Sequence, residues 1–304
     1  MGIRLRPLCA VLFLFVLGTT PAAPDTTAGV AAYDKGDYET ARKLLKPEAE
    51  KGDPVAQVKY GLIFAKGLGV PRDGAQAFPW FQKAADQGNA EAMYCVGVAY
   101  DFGDTGAKDP AKAAQWYRKS AEKGYAKAQY NLAVMLLYGD GVPVDIDQGA
   151  QWLRKSAEQS DDDAEGRLAY NYIKGGFGVE QNLLSARYWA DRAAKHGNDK
   201  AKQMAQILAD NFKHMEEDEH VPHTAGGDGS SLEQAIQLPD AKNEMDGVDS
   251  EYKVLHYFFP GYGRGSQALI TGPDQRPYDV LTVEKNGQKR DVYFDISNFF
   301  GKME

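Results

Sequence analysis

Ser120-Ala121-Glu122-Lys123 sets a lysine amine one helical turn after a serine hydroxyl, the spacing with which penicillin-recognising enzymes turn serine into a nucleophile. The tetrad has counterparts 36 residues to either side, Ala84 to Gln87 and Ser156 to Gln159, so it reads as the end of a repeated helix and not as a catalytic pair. Gly261-Tyr262-Gly263-Arg264-Gly265 could wrap backbone around an anion at Arg264. It follows an expected helix instead of opening one, which removes the helix N-terminal anion site and leaves a plain flexible loop as the reading. Glu251, His256, Asp279, Asp291 and Asp295 are the acid–base candidates of the last quarter, and nothing in the sequence gathers them. Asp279 shares a strand face with Phe294, so partial burial is expected; a satisfied edge carboxylate is the ordinary reading. His214, His220 and His223 stand among acids at a spacing that fits no defined metal site. The nucleophile elbow, the His-Glu-x-x-His helix and the phosphate-binding loop are all missing from the sequence. No catalytic residue, cofactor or metal is assigned.

The elements around these residues are set by self-similarity. Trp80, Trp116, Trp152 and Trp189 lie 36, 36 and 37 residues apart, and three further series keep the phase: Ala56, Ala92, Ala128, Ala164; Gly61, Gly97, Ala133, Ala169; Gly67, Gly103, Gly139, Gly175. In the third unit Ala128, Leu132, Ala133 and Leu136 recur at helical spacing, and the helix, A, should close at Gly139 in the left-handed region. A loop from Asp140 to Val144 follows. Asp145 is placed to cap a second helix, B, through Gly149, Trp152, Leu153, Ser156 and Ala157. The small residue at the Ala133 position lets A and B approach, and the tryptophan should fill space between one hairpin and the next. A single hairpin cannot bury this face, so stacking of several units is required.

The stretches Ala126-Lys127-Ala128-Gln129-Tyr130-Asn131-Leu132-Ala133, Tyr138-Gly139-Asp140-Gly141-Val142 and Ala150-Gln151-Trp152-Leu153-Arg154-Lys155-Ser156-Ala157 resemble the Sel-one-like repeat family, relatives of tetratricopeptide repeats. The resemblance covers Pro54 to about Asn198 as four units. It implies an α-solenoid of antiparallel helical hairpins, about four full repeats plus flanking helices: a capping hairpin over 24–53 and repeats over 54–214. It further implies a non-enzymatic adaptor that assembles complexes. Cysteine-rich relatives have been linked to β-lactam binding, but their cysteine pairs are missing here and that association is not carried over. Three departures stand out: Asp104-Thr105-Gly106 replaces a Gly-Val pair, one residue is inserted at Gly175-Gly176-Phe177-Gly178, and Pro79 falls inside helix B of the first unit, where it should bend the helix.

In solenoids of this kind a stripe of helix A lines a concave groove. Here that stripe is Lys127, Tyr130, Val134, Leu137 and Tyr138 in the third unit, Glu91, Tyr94, Val98, Asp101 and Phe102 in the second, and Asp163, Gly166, Tyr170, Ile173 and Lys174 in the fourth. Structural positions repeat while these vary, as in a surface tuned to one extended ligand; drift on a solvated face is the alternative. Glu91, Tyr94, Asp101, Lys127, Tyr130, Tyr138 and Tyr170 are the partner-binding candidates, with Tyr94, Tyr130 and Tyr170 taken as exposed. Cys95 adjoins the stripe and is read as inert, with disulfide capture of a partner as the alternative.

Composition narrows the function. A chain of 304 residues exceeds one ordinary domain, and its formal charge of −8 repels phosphate backbones and anionic lipid, which argues against nucleic acid as a partner. Arg4 and Arg6, an apolar run from Leu8 to Leu17, and small residues through Ala23 form a signal peptide over 1–23, with cleavage expected after Ala22 or Ala23. The run is too short to span a bilayer, so no stable membrane insertion should remain after cleavage, and Cys9 lies too early to be a lipid-attachment site. A periplasmic or secreted protein with Cys95 alone depends on packing rather than on an internal disulfide. Residues 215–229, acidic and then glycine-rich, read as a linker. Residues 230–304 read as a small α+β domain. Ser230 and Glu233 would cap a short helix through Ile236, and Val248 to Phe258 would form another. A strand over Ser266 to Thr271 precedes a hairpin, Tyr278 to Lys285 and Gln288 to Ile296, around Asn286-Gly287, with Phe299 and Phe300 closing the core. The leading function is a scaffold for a cell-envelope protein. The alternatives are a ligand-binding or hydrolytic C-terminal domain carried by the repeats, favoured if Glu251, His256 and Asp279 cluster, and binding of cell-wall or exopolysaccharide.

Overall fold

A computed structural model describes residues 24–216, 224–226, 235–238, 241, 250–251, 253–255, 258–259 and 262–297. The stretch read as a signal peptide, most of the segment read as a linker, Ser230, Glu233, His256, Phe299 and Phe300 fall outside them. The chain divides into two compact units at Gln87/Gly88.

The first unit holds α1 (Pro24–Asp34), α2 (Tyr38–Lys51), α3 (Pro54–Lys66) and α4 (Gly74–Asp86), packed in succession around Leu45, Ile63 and Phe81. The second holds α5 (Ala90–Phe102), α6 (Pro110–Glu122), α7 (Ala126–Tyr138), α8 (Ile146–Glu158), α9 (Asp162–Lys174), α10 (Leu183–His196) and α11 (Asp199–Glu216), each packed on the next. Antiparallel hairpins in sequence order followed by a sheet are the expected fold class.

The 36-residue step is written most plainly in the caps. Asp37, Asp73, Asp109, Asp145 and Asn182 each accept a backbone N–H three residues on, at the start of α2, α4, α6, α8 and α10. The step thus reaches back to α2, so the segment ahead of Pro54 is built on the same plan. Gly67, Gly103 and Gly139 end the A helices at φ of 68°, 81° and 77°. α4 runs from Gly74 to Asp86 through Pro79, which faces solvent.

Within each hairpin the contact between A and B is set by a size exchange. Gly61 faces Phe81 and Gly97 faces Tyr117; a Cβ on either glycine would sit 2.6 Å from the ring. Where the small residue is Ala133 the opposing one is Leu153, and where it is Ala169 the position holds Ala190. A larger partner therefore demands a smaller seat, because interiors are packed to near-crystalline density. Gly97→Ala should lower stability by about 1 to 2 kcal/mol despite its better helix propensity, since the Tyr117 ring is wholly buried. Chemical denaturation checks this.

The repeated tryptophans carry a cation on the ring. Lys83, Lys119 and Lys155 lie 4.6, 4.0 and 4.4 Å from the centroids of Trp80, Trp116 and Trp152, one turn earlier on the same helix. In the fourth unit Arg192 takes this place over Trp189, which is fully buried. Trp152 packs against the clusters on both sides, the expected role between hairpins. Ser120 has a structural use. Its hydroxyl donates to the Ala90 carbonyl at 2.7 Å, as Ser156 does to Ala126 at 2.8 Å, tying the end of B to the start of A.

The sheet has the order β1 (Ala225–Gly226), β2 (Ile236–Gln237), β5 (Gln288–Asp295), β4 (Pro277–Lys285), β3 (Gly263–Thr271), antiparallel except for β2 beside β5. Asn286 and Gly287, at φ of 54° and 80°, turn the hairpin, and Leu281 faces Val292 and Val283 faces Arg290 as expected. Three expectations change. Ile236 is a buried strand residue and not a helix end, because it pairs with Phe294. Ala225–Gly226, inside the segment read as linker, is a strand. The glycine-rich stretch at Arg264 opens β3 rather than looping freely: Gly265 lies too close to the Thr282 carbonyl for any Cβ, and the register shifts between Arg264 and Gln267. Leu184 and Phe212 of the last helices share one core with Ile236, Val254, Phe258, Leu281 and Phe294, and Phe212 stacks on Phe258 at 5.6 Å. The sheet is thus packed onto the end of the helical array.

Candidate functional site

The groove candidates divide by burial. Tyr94 is half-buried, wedged between Tyr117 at 5.7 Å and Tyr125 at 5.2 Å, and burial pushes its hydroxyl up to about 12. Asp101 accepts the Tyr117 hydroxyl at 3.2 Å. Tyr130 is half-buried against the cluster that holds Leu153 and Leu168, and burial raises its pKa. Glu91 is half-buried beside Tyr125. These positions join one hairpin to the next, so Tyr94 and Tyr130 are not the free aromatics the sequence suggested. Leu137 is buried as well, because Gly149 leaves a gap on α8 that its Cδ2 fills. Helical periodicity places a residue on a face but does not say how closely the next hairpin covers that face.

Lys127, Tyr138 and Tyr170 are exposed. Tyr138 at 51%, Tyr170 at 47% and Phe102 at 64% are large side chains left open on the second halves of α7, α9 and α5. Phe102 and Tyr138 are one repeat apart. The Tyr138 ring meets Phe177 at 5.2 Å, and Arg167 lies over it and donates to its hydroxyl at 3.1 Å. Phe177 belongs to the insertion in the fourth unit and is held at φ 51° by a turn bridged between Gly176 and Val179. The inserted residue thus enlarges an aromatic edge. Val144 and Ile146, also exposed, continue it. Phe177, Arg167 and Val144 were missed in the sequence; the one-residue excess in the last tryptophan interval was the available signal for the first.

Four groups outside the stripe were read as possible chemistry. Cys95 is buried. Glu251 and Asp279 come together, both buried; burial first and then the Asp279 charge push Glu251 up to about 9. Gln267 donates to the other oxygen of Asp279. Both Glu251 oxygens and Asp279 Oδ1 are buried, and the two carboxyls face each other rather than solvent. Asp291 accepts from Thr282, and Asp295 pairs with Arg276 at 2.7 Å. Among the described residues no group of three or more His, Cys, Asp or Glu side chains could hold a metal ion.

A charged cluster that sequence reading passed over sits in the fourth unit. Glu165 is fully buried, with Arg192 Nε at 2.8 Å and His196 Nδ1 at 2.7 Å. In the first and third units the positions of Glu165 and His196 are neutral: Gln87 donates to Gln57 at 2.9 Å and Gln159 to Gln129 at 2.7 Å. Writing the units in register, with the one-residue insertion allowed for, would have revealed it.

The Sel1 repeat model matches four times, at residues 54–89, 90–125, 126–161 and 162–198. A Sel1 repeat protein from Oxalobacter formigenes is 31% identical over 60% of this chain and 72% of that one, with a TM-score of 0.53. The chain belongs to the Sel1 repeat family. Other Sel1-type structures are similar at greater distance. One is a protective antigen of uropathogenic Escherichia coli displaying an SLR fold, 25% identical over 77% of this chain and 53% of that one, TM-score 0.40; this chain spans about half its length. Another is a Sel1 repeat protein from Klebsiella pneumoniae, 20% identical over 61% and 91%, TM-score 0.44. No curated protein matches the chain. Sel1 repeat proteins are generally protein–protein interaction scaffolds and typically not enzymes. Among the described residues no helix is long and apolar enough to cross a membrane.

Proposed function

We propose that this Sel1 repeat protein is an extracytoplasmic scaffold that holds a cell-envelope protein against the A-helix side of its repeats. The observation that carries the reading is the open aromatic edge formed by Tyr138 and Tyr170, extended by Phe177. Large aromatic side chains that find no cover in their own fold are the usual anchors of an interface, where burying one contributes about 2 kcal/mol or more. Arg167 lies against the edge and would set orientation and charge preference. The leader over 1–23 supports a destination outside the cytoplasm.

Joint replacement Tyr138→Ala and Tyr170→Ala should cut recovery of a cell-envelope partner in affinity capture by about tenfold or more. Both side chains are exposed, so circular dichroism should stay unchanged. Undiminished capture would move the site off this edge.

A further inference from the structure

A cleft of about 930 Å³ opens between the fourth hairpin and the sheet, walled by α8, the turn after α9, Phe258–Phe259 and the β4–β5 hairpin. We propose that it binds an acidic peptide segment, whose carboxylates are held by Arg154 and Arg290. The proposal rests on the scaffold reading and assigns the chemistry of a second contact.

Charge is the first argument. The chain carries −8, yet among the described residues this cleft is lined by Arg154, Lys285 and Arg290 against the single acid Glu180. Glu180 is taken by Lys285 at 3.3 Å. Two guanidinium groups are left in surplus, neither with a carboxylate partner among the described residues. Local reversal of the overall sign focuses an attractive field in a concave site.

Preorganisation is the second. Arg154 donates one N–H to the Tyr172 hydroxyl at 2.6 Å, which fixes the side chain and leaves the remaining donors of its fork. Arg290 lies over the Phe259 ring at 5.1 Å and beside the Tyr262 hydroxyl. Both stand on regular elements, and a planar fork held in place suits a carboxylate better than a mobile ammonium does. Asn182, buried, donates to the Phe258 carbonyl at 3.3 Å and ties the two walls together. The volume is at the upper end of the range for ligand sites, roughly 300 to 1,000 Å³, and far exceeds a single inorganic anion. Phe259 and Tyr262 offer apolar surface to the stem of an acidic side chain or to its neighbours. An extended chain with spaced carboxylates meets all three conditions.

The probe is fluorescein-labelled hexaglutamate, followed by anisotropy on the full mature chain at low salt. Saturable binding is expected, weakened about tenfold or more by Arg154→Gln or by Arg290→Gln, and weakened again at about 0.3 M salt. Lys202→Gln, on the exposed side of α11, should leave it unchanged. Absence of saturable binding, equal binding of hexaglutamine, or binding that both arginine variants leave intact would overturn the proposal. So would displacement of the probe by inorganic phosphate at matched charge, which would assign the cleft to phosphate groups instead. Circular dichroism separates lost binding from lost fold. The two readings fail independently: the Tyr138/Tyr170 variant should lose its partner and keep hexaglutamate, whereas the arginine variants should keep the aromatic edge and lose hexaglutamate.

Discussion

Glu251→Gln should raise the stability of the second unit by about 3 kcal/mol at pH 7 and leave it unchanged below about pH 4. In the unfolded chain Glu251 titrates near 4.5; in the folded chain burial, then the Asp279 charge, push it up to about 9. Between these values the folded state holds a proton that the unfolded state has released. Stability therefore falls by about 1.4 kcal/mol for each pH unit from 4.5 to 9 and is flat outside that window. Glutamine has the shape of the protonated acid without the proton cost, and its amide can donate toward Asp279. Urea unfolding at pH 5 and pH 8 gives the test. The wild-type midpoint should drop over that interval while the variant's stays nearly level, and parallel curves would show that Glu251 is not proton-linked.

Arg192→Met should destabilise the second unit by about 3 kcal/mol. Glu165 has no solvent contact, and Arg192 is the permanent cation beside it, with His196 at its other oxygen. Removing a partner leaves a buried carboxylate to bear its own desolvation, which costs more than the pair ever contributed. The repeat supplies its own control. Glu165→Gln with His196→Gln in the Arg192→Met background rebuilds the neutral pair seen at Gln57/Gln87 and Gln129/Gln159, and should recover most of the loss. Failure of that rescue would mean the arginine acts through Trp189, whose ring it covers at 5.1 Å, and not through Glu165.

The legible part of this protein lay in positions that recur. Trp80 to Trp189, the Asp145 cap, Gly139 and the Asn286-Gly287 turn each encode a local backbone or contact requirement, so residue type and spacing suffice to read them. The split within the groove stripe was not legible in residue type, because Tyr94 and Tyr130, at one repeat position, are covered by the neighbouring hairpin, whereas Tyr138, at the last position of its helix, stays open. The acid pair was legible as two names and not as a pair: Asp279 on its strand face was anticipated, but Glu251 meets it across 28 residues of chain.

By itself, then, the sequence determined the helical hairpins, their period, the caps that start and end them and the β4–β5 register, because helices, turns and hairpin pairing are fixed by interactions between near neighbours. The tertiary structure alone decided that Leu184 and Phe212 share a core with the sheet, that β2 runs parallel beside β5, and that Arg154 and Arg290 line one cleft. Those contacts join residues far apart in the chain, where no spacing rule applies and the outcome rests on which buried surfaces fit.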